Sequence, residues 1–128
     1  MAGQQFSIET RNDHLFITLP PYTNVSETKS QIAQIHAAID SSGCRKVLID
    51  ITSTKDKIPV FDLFDICLYV VEKLGPSDPK IAVLASMEAV YEDRFGENVI
   101  RNRGVDLIRF TTTLKDSLDW LNSSHPPS

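Results

Sequence analysis

The sequence is poor in the residue types from which most active centres are built. It holds two cysteines, Cys44 and Cys67, and three histidines, His14, His36 and His125, in 128 residues. The cysteines form no C-x-x-C pair and the histidines lie far apart along the chain. Neither a metal site nor a disulfide framework is expected, and the simplest reading is a reduced, cytoplasmic chain without a cofactor. The familiar catalytic signatures are absent: there is no G-x-S-x-G, no Walker glycine loop, no G-x-G-x-x-G and no H-E-x-x-H. The positive case for an enzyme is thereby removed, and a non-enzymatic protein is the expectation. Positive charge is not in excess either. Thirteen Lys and Arg against seventeen Asp and Glu leave a net charge of −4, which argues against nucleic acid and anionic membrane as partners. The longest apolar stretch is interrupted by Asp62, Asp65 and Glu72, so no transmembrane segment is expected. Met1–Gln5 has neither the basic patch nor the apolar core of a secretory signal.

What is present fits one α/β domain over residues 1–122, followed by a disordered tail at 123–128. A chain of this length can bury a core without cross-links. Its organising stretch is Lys46-Val47-Leu48-Ile49-Asp50-Ile51. The length and β-branched content are those of a strand buried on both faces, as in a parallel sheet. A polar loop, Thr52-Ser53-Thr54-Lys55-Asp56-Lys57, leads from it to Pro59 and a helix. In α/β sheets the loops at the carboxyl ends of strands meet ligands and partners, so this loop is the first candidate for a working site.

The flanking segments supply the other elements. Phe6 and Ile8 alternate with polar residues as a half-buried strand. Arg11–His14 reads as a turn, and Leu15, Ile17 and Leu19 as a second strand stopped by Pro20-Pro21. This is an antiparallel hairpin at a sheet edge. Asn24 and Glu27 suit the start of a helix as a capping box, Val25, Ile32, Ile35 and Ile39 its buried stripe, and Gly43 its left-handed end. Gln31 falls on the polar face. Lys80–Ala85 is a second buried-type strand. Ser86 can cap a helix in which Met87, Tyr91, Phe95 and Val99 recur as core, and which ends near Arg103 and Gly104. Val105–Phe110 reads as a further strand, and Thr112 or Thr113 caps a last helix carrying Leu114, Leu118 and Leu121, with Trp120 joining or flanking that face.

The helix from Pro59 to Leu74 has more apolar residues than one stripe requires. Pro59 suits its first position. Three readings of the surplus stay open. It is a thick core, with Phe61, Leu68 and Val71 against the sheet and Ile66 and Val70 against neighbouring helices. Alternatively, Phe61, Phe64, Ile66 and Val70 form a homodimer face, or they hold an apolar ligand. Asp62 and Asp65 share a helix face at i, i+3, but no partner for acid–base work is visible, and the helix dipole accounts for them.

The order β-β-α-β-α-β-α-β-α, together with the central strand Val47–Ile51, resembles the STAS domain of anti-sigma-factor antagonists and sulphate-transporter tails. The C-terminal half, with Asn102-Arg103-Gly104 closing a helix, a strand ending at Phe110 and the pair Trp120-Leu121, resembles an uncharacterised bacterial branch of that family. The resemblance implies a mostly parallel mixed sheet with an N-terminal antiparallel hairpin, helices wound along it, and a regulatory module that binds a protein partner. It also implies a phosphorylatable hydroxyl after an aspartate at the start of the second helix. Here Asp56 is followed by Lys57-Ile58-Pro59, and the nearest hydroxyls are Thr52, Ser53 and Thr54. Partner contacts are expected at Thr52, Ser53, Thr54, Asp56, Lys57 and Asp62.

Overall fold

The computed structural model describes residues 6–75, 79–89, 95–102 and 108–123, with residues 95–97 described by their backbone alone. Two short strands, β1 (Ser7–Thr10) and β2 (Leu15–Thr18), form the antiparallel hairpin, with Ser7 opposite Thr18 and Thr10 opposite Leu15. The turn closes through the Arg11 amide, which donates to the His14 carbonyl. Every side chain of β1 is exposed, so this edge strand is not half-buried as its alternation suggested. One of its faces has no layer to pack on, and only Phe6, just before it, joins the core.

From β2 the chain runs through three crossovers. They are α1 (Val25–Ser42) to β3 (Lys46–Asp50), α2 (Val60–Leu74) to β4 (Lys80–Leu84), and a 3-10 turn at Met87–Ala89 with α3 (Phe95–Asn102) to β5 (Ile108–Thr111). Helix α4 (Leu114–Asn122) follows. Strands β2 to β5 are parallel neighbours in sequential order. Because the order never reverses, crossovers of one hand must place their helices on one face of the sheet. The packing agrees. Leu15, Ile17, Val47, Ile49, Ile81 and Ile108 share a core with Ile32, Ile35 and Ile39 of α1, Leu63, Ile66, Cys67 and Leu74 of α2, and Val99 and Ile100 of α3. The opposite face is smaller: Leu48, Ala82 and Leu84 pack with Leu121, Leu118 and Trp120 of α4. Leu48 and Val47 are wholly buried on opposite faces, which is why β3 reads as a continuous apolar run.

Local chemistry fixes the helix ends. Asn24 Oδ1 accepts from the Glu27 amide at 2.8 Å, whereas the Glu27 carboxylate takes the Thr23 hydroxyl. Gly43 adopts φ 70° and its amide donates to Ile39 O, the left-handed close for which glycine is suited. Pro59 lies just outside α2, with ψ 142°, and its carbonyl accepts the first helical bond, from Leu63 N. Thr113 caps α4 through the Asp116 amide. Trp120 Nε1 donates to Ile81 O at 3.0 Å, and the Lys80 ammonium and Arg109 guanidinium lie 4.4 and 4.5 Å from its ring centroid.

Four further expectations need correction. Gln31 is buried, not on a polar face. Met87 lies in the 3-10 turn and is 76% exposed; the turn breaks the helical spacing that placed it in the core. Phe61 is 88% exposed, because the buried residues of α2 are Leu63, Ile66, Cys67 and Leu74, while Leu68 and Val71 pack against the same core partly buried. The continuous helix from Ser86 is instead a turn followed by α3, with Tyr91, Arg103, Gly104, Val105 and the chain beyond Ser123 outside the described residues.

Candidate partner-binding surface and apolar cavity

All four parallel strands end at one edge, where backbone bonds carry the ladder slightly further: Leu19 N to Asp50 O, Ile51 N to Leu84 O and Ala85 N to Thr111 O. The loop after β3 leaves from this edge and is held from three directions. Asp50 Oδ1 accepts both the Thr52 amide, at 2.8 Å, and the Thr52 hydroxyl, at 2.6 Å. Such an Asx turn fixes the first step of the loop. Thr54 is buried. Its hydroxyl oxygen accepts the Tyr22 amide at 2.9 Å, from the chain before α1, and its carbonyl accepts the Ser86 hydroxyl at 3.1 Å, from the chain after β4. The Tyr22 hydroxyl donates to Asp62 Oδ2 at 2.7 Å, tying the start of α2 to the same clamp. The Tyr22 phenol is pushed up to about 12, first by burial and then by the Asp62 carboxylate it donates to.

The candidate contact residues therefore divide. Thr54 and Asp62 are turned into the clamp and Thr52 closes the Asx turn, while Ser53 is half-buried. Asp56 and Lys57 are exposed, with the Lys57 ammonium 3.2 Å from the Glu88 carbonyl. That contact draws the Met87–Ala89 turn beside the loop. Around the loop the edge presents large apolar side chains to solvent: Phe61 at 88% exposure, Met87 at 76%, and Val60 and Phe64 at lower values. Sequence reasoning did not place Met87 or the two clamp residues Tyr22 and Ser86 at the candidate site; it read Ser86 as a helix cap and Met87 as core. Tyr22 and Ser86 lie 32 residues from Thr54 on either side, and no local pattern signals such a meeting.

The four apolar candidates on α2 also separate. Phe61 and Phe64 face outward. Ile66 and Val70 line a cavity of about 130 Å³ between the sheet and the helices. Ile35 contributes from α1, Ile49 and Val83 from the sheet, and Ile100 from α3. Cys67 is on the same wall, its thiol pushed up to about 12 by burial. Among the described residues no group of three or more His, Cys, Asp or Glu could hold a metal ion, and no helix is long and apolar enough to cross a membrane.

No family profile and no curated protein matches this chain. Solved structures do. A glutamate-for-serine variant of RsbS from Moorella thermoacetica, a STAS-domain anti-sigma-factor antagonist, superposes with a TM-score of 0.61 at 12% identity, covering 92% of this chain and 95% of its own. The protein TM1081 superposes with a TM-score of 0.53 at 11% identity, over 97% and 94%. The fold is STAS-like. At these identities the likeness is one of architecture: a five-stranded mixed sheet with an antiparallel first pair, and four helices. A STAS-like sheet with strictly sequential strand order has no point where the order reverses. It therefore lacks the crevice that such a reversal opens for ligands in doubly wound sheets.

Proposed function

We propose that this chain is a non-enzymatic, cytoplasmic STAS-like regulatory module that docks a protein partner on the loop after β3 and the start of α2. The observation that carries this reading is Phe61, a large apolar side chain 88% exposed on the first turn of a helix whose other apolar residues are largely packed. Leaving such a side chain in water forgoes about 1.5–3 kcal/mol of burial, and aromatic residues set in a rigid frame are the usual anchors of protein interfaces. Asp56 and Lys57 border it as a charged rim, flanked by Thr52 and Ser53. Thr54 and Asp62 hold the frame in place. The similarity to RsbS supports a regulatory rather than a catalytic role through fold alone.

The test is site-specific photo-crosslinking in the host cell, with the reactive residue at position 61 and a control at the exposed Gln34 of α1. A discrete adduct from position 61, absent from position 34 and lost on Lys57→Glu, is the expected result. Equal labelling from both positions, or none from 61, overturns the placement. An adduct with the mass of a second copy makes the same surface a homodimer face.

A further inference from the structure

The cavity under α1 and α2 has a lining of unusual uniformity. Among the described residues it contains no Asp, Glu, Lys, Arg or His. Its polar residues are few, and most are committed. Thr28 donates its hydroxyl to Asn24 O, Thr54 accepts from Tyr22 N, and Tyr22 donates to Asp62. Gln31 is different. It lines the cavity at 9% exposure, and its side-chain amide atoms are not sealed off but keep accessible surface. A space of 130 Å³ is also many times what one water requires, and close to the size at which apolar cavities take up benzene. The structure thus combines a volume, an uncharged wall and, in Gln31, one lining side chain with an accessible donor–acceptor group.

We propose that this cavity is a binding site for a small, neutral, largely apolar molecule of about six to ten non-hydrogen atoms, whose single hydrogen-bonding group meets the Gln31 amide. Charged ligands are disfavoured because nothing in the described wall would compensate their lost hydration. The apolar body of the ligand would lie against Ile35, Ile66 and Val70, where desolvation drives association. Gln31 would select molecules bearing a hydroxyl, amide or carbonyl over pure hydrocarbons, since only the former can hydrogen-bond its amide. This inference does not rest on the partner-docking surface, and it is tested on the isolated protein.

The experiment is a methyl-detected NMR titration of the full chain with benzyl alcohol and, separately, toluene. Saturable shifts at the Ile35, Ile66 and Val70 methyls, with none at Leu118 on the opposite face of the sheet, are expected. Benzyl alcohol should bind about two- to tenfold more tightly than toluene, the range of one net hydrogen bond. Gln31→Leu should erase that preference while leaving toluene bound, and Val70→Phe should raise Tm and abolish both titrations. If neither probe saturates the cavity methyls of the wild-type protein, or if Leu118 moves with them, the proposal fails whatever the variants do. Equal affinity of the two probes for the wild type removes the role of Gln31.

Discussion

At the scale of single residues, the clamp of Tyr22, Thr54 and Asp62 makes the clearest chemical statement. Tyr22 has its ionisation pushed up to about 12 from 10.0, by burial first and by Asp62 second. A group whose pKa is higher in the fold than in the unfolded chain favours folding while it stays protonated. Its contribution is intact below pH 10.0 and is lost as the pH rises toward about 12. A tyrosinate absorbance titration should therefore show a late-ionising tyrosine that Tyr22→Phe removes, and the variant should lose less stability than wild type between those limits. Thr54→Val replaces the acceptor of the Tyr22 amide with a methyl group, and about 1 kcal/mol should disappear from the urea unfolding free energy. Cys67 gives a third test. With its thiol pushed up to about 12 by burial, it has almost no thiolate at neutral pH. In a Cys44→Ser background, a thiol reagent should leave the native protein unlabelled and modify it fully in guanidinium. Rapid labelling of the native state would mean that the wall of the cavity opens to solvent.

At the scale of elements, the helices show which sequence signals survive folding and which do not. Gly43 was legible because a left-handed helix end is a local demand; its φ of 70° meets no crowding within 4 Å of a built Cβ. Gly43→Ala should cost about 1–2 kcal/mol through backbone strain alone, and Gly43→Asn less, as thermal unfolding would report. Helix α2 was legible as a helix but not in its facing. Apolar residues cover most of its circumference, so periodicity could not say that Leu63 and Ile66 point in while Phe61 points out. That orientation is set by the core against which Leu63, Ile66, Cys67 and Leu74 pack. The consequence is measurable on one helix. Leu63→Ala should cost about 2–5 kcal/mol, whereas Phe61→Ser should leave stability within about 0.5 kcal/mol of wild type. The strand-end loop was legible as a place, because β3 ends there. Its rigidity was not, since Tyr22 and Ser86 reach it from distant parts of the chain.

At the scale of the whole molecule, two cores share one sheet. The larger holds α1, α2 and α3 against one face, and the smaller holds α4 against the other. Two separately built cores would allow α4 to detach on its own, but here the strands between them are common property. Val47 and Leu48 of β3 are both fully buried, on opposite faces, as are Ile81 and Ala82 of β4. Removing α4 would expose Leu48 and Ala82, break the bond from Trp120 Nε1 to Ile81 O, and release Lys80 from Ser123 O, which it reaches at 2.6 Å. It would also strip one face from the strands that organise the larger core. Loss of one layer therefore weakens the other, and unfolding should be a single cooperative transition. The sequence holds a single tryptophan, Trp120, which reports the small core by fluorescence, while far-ultraviolet circular dichroism is dominated by α1 and α2 in the large one. The two denaturation curves should coincide in midpoint and slope. Leu121→Ala, a truncation in the small core, should shift both together by about 2–5 kcal/mol. A fluorescence transition that precedes the dichroism transition would show instead that α4 is a separable layer, and that the domain behaves as two units joined at β3 and β4.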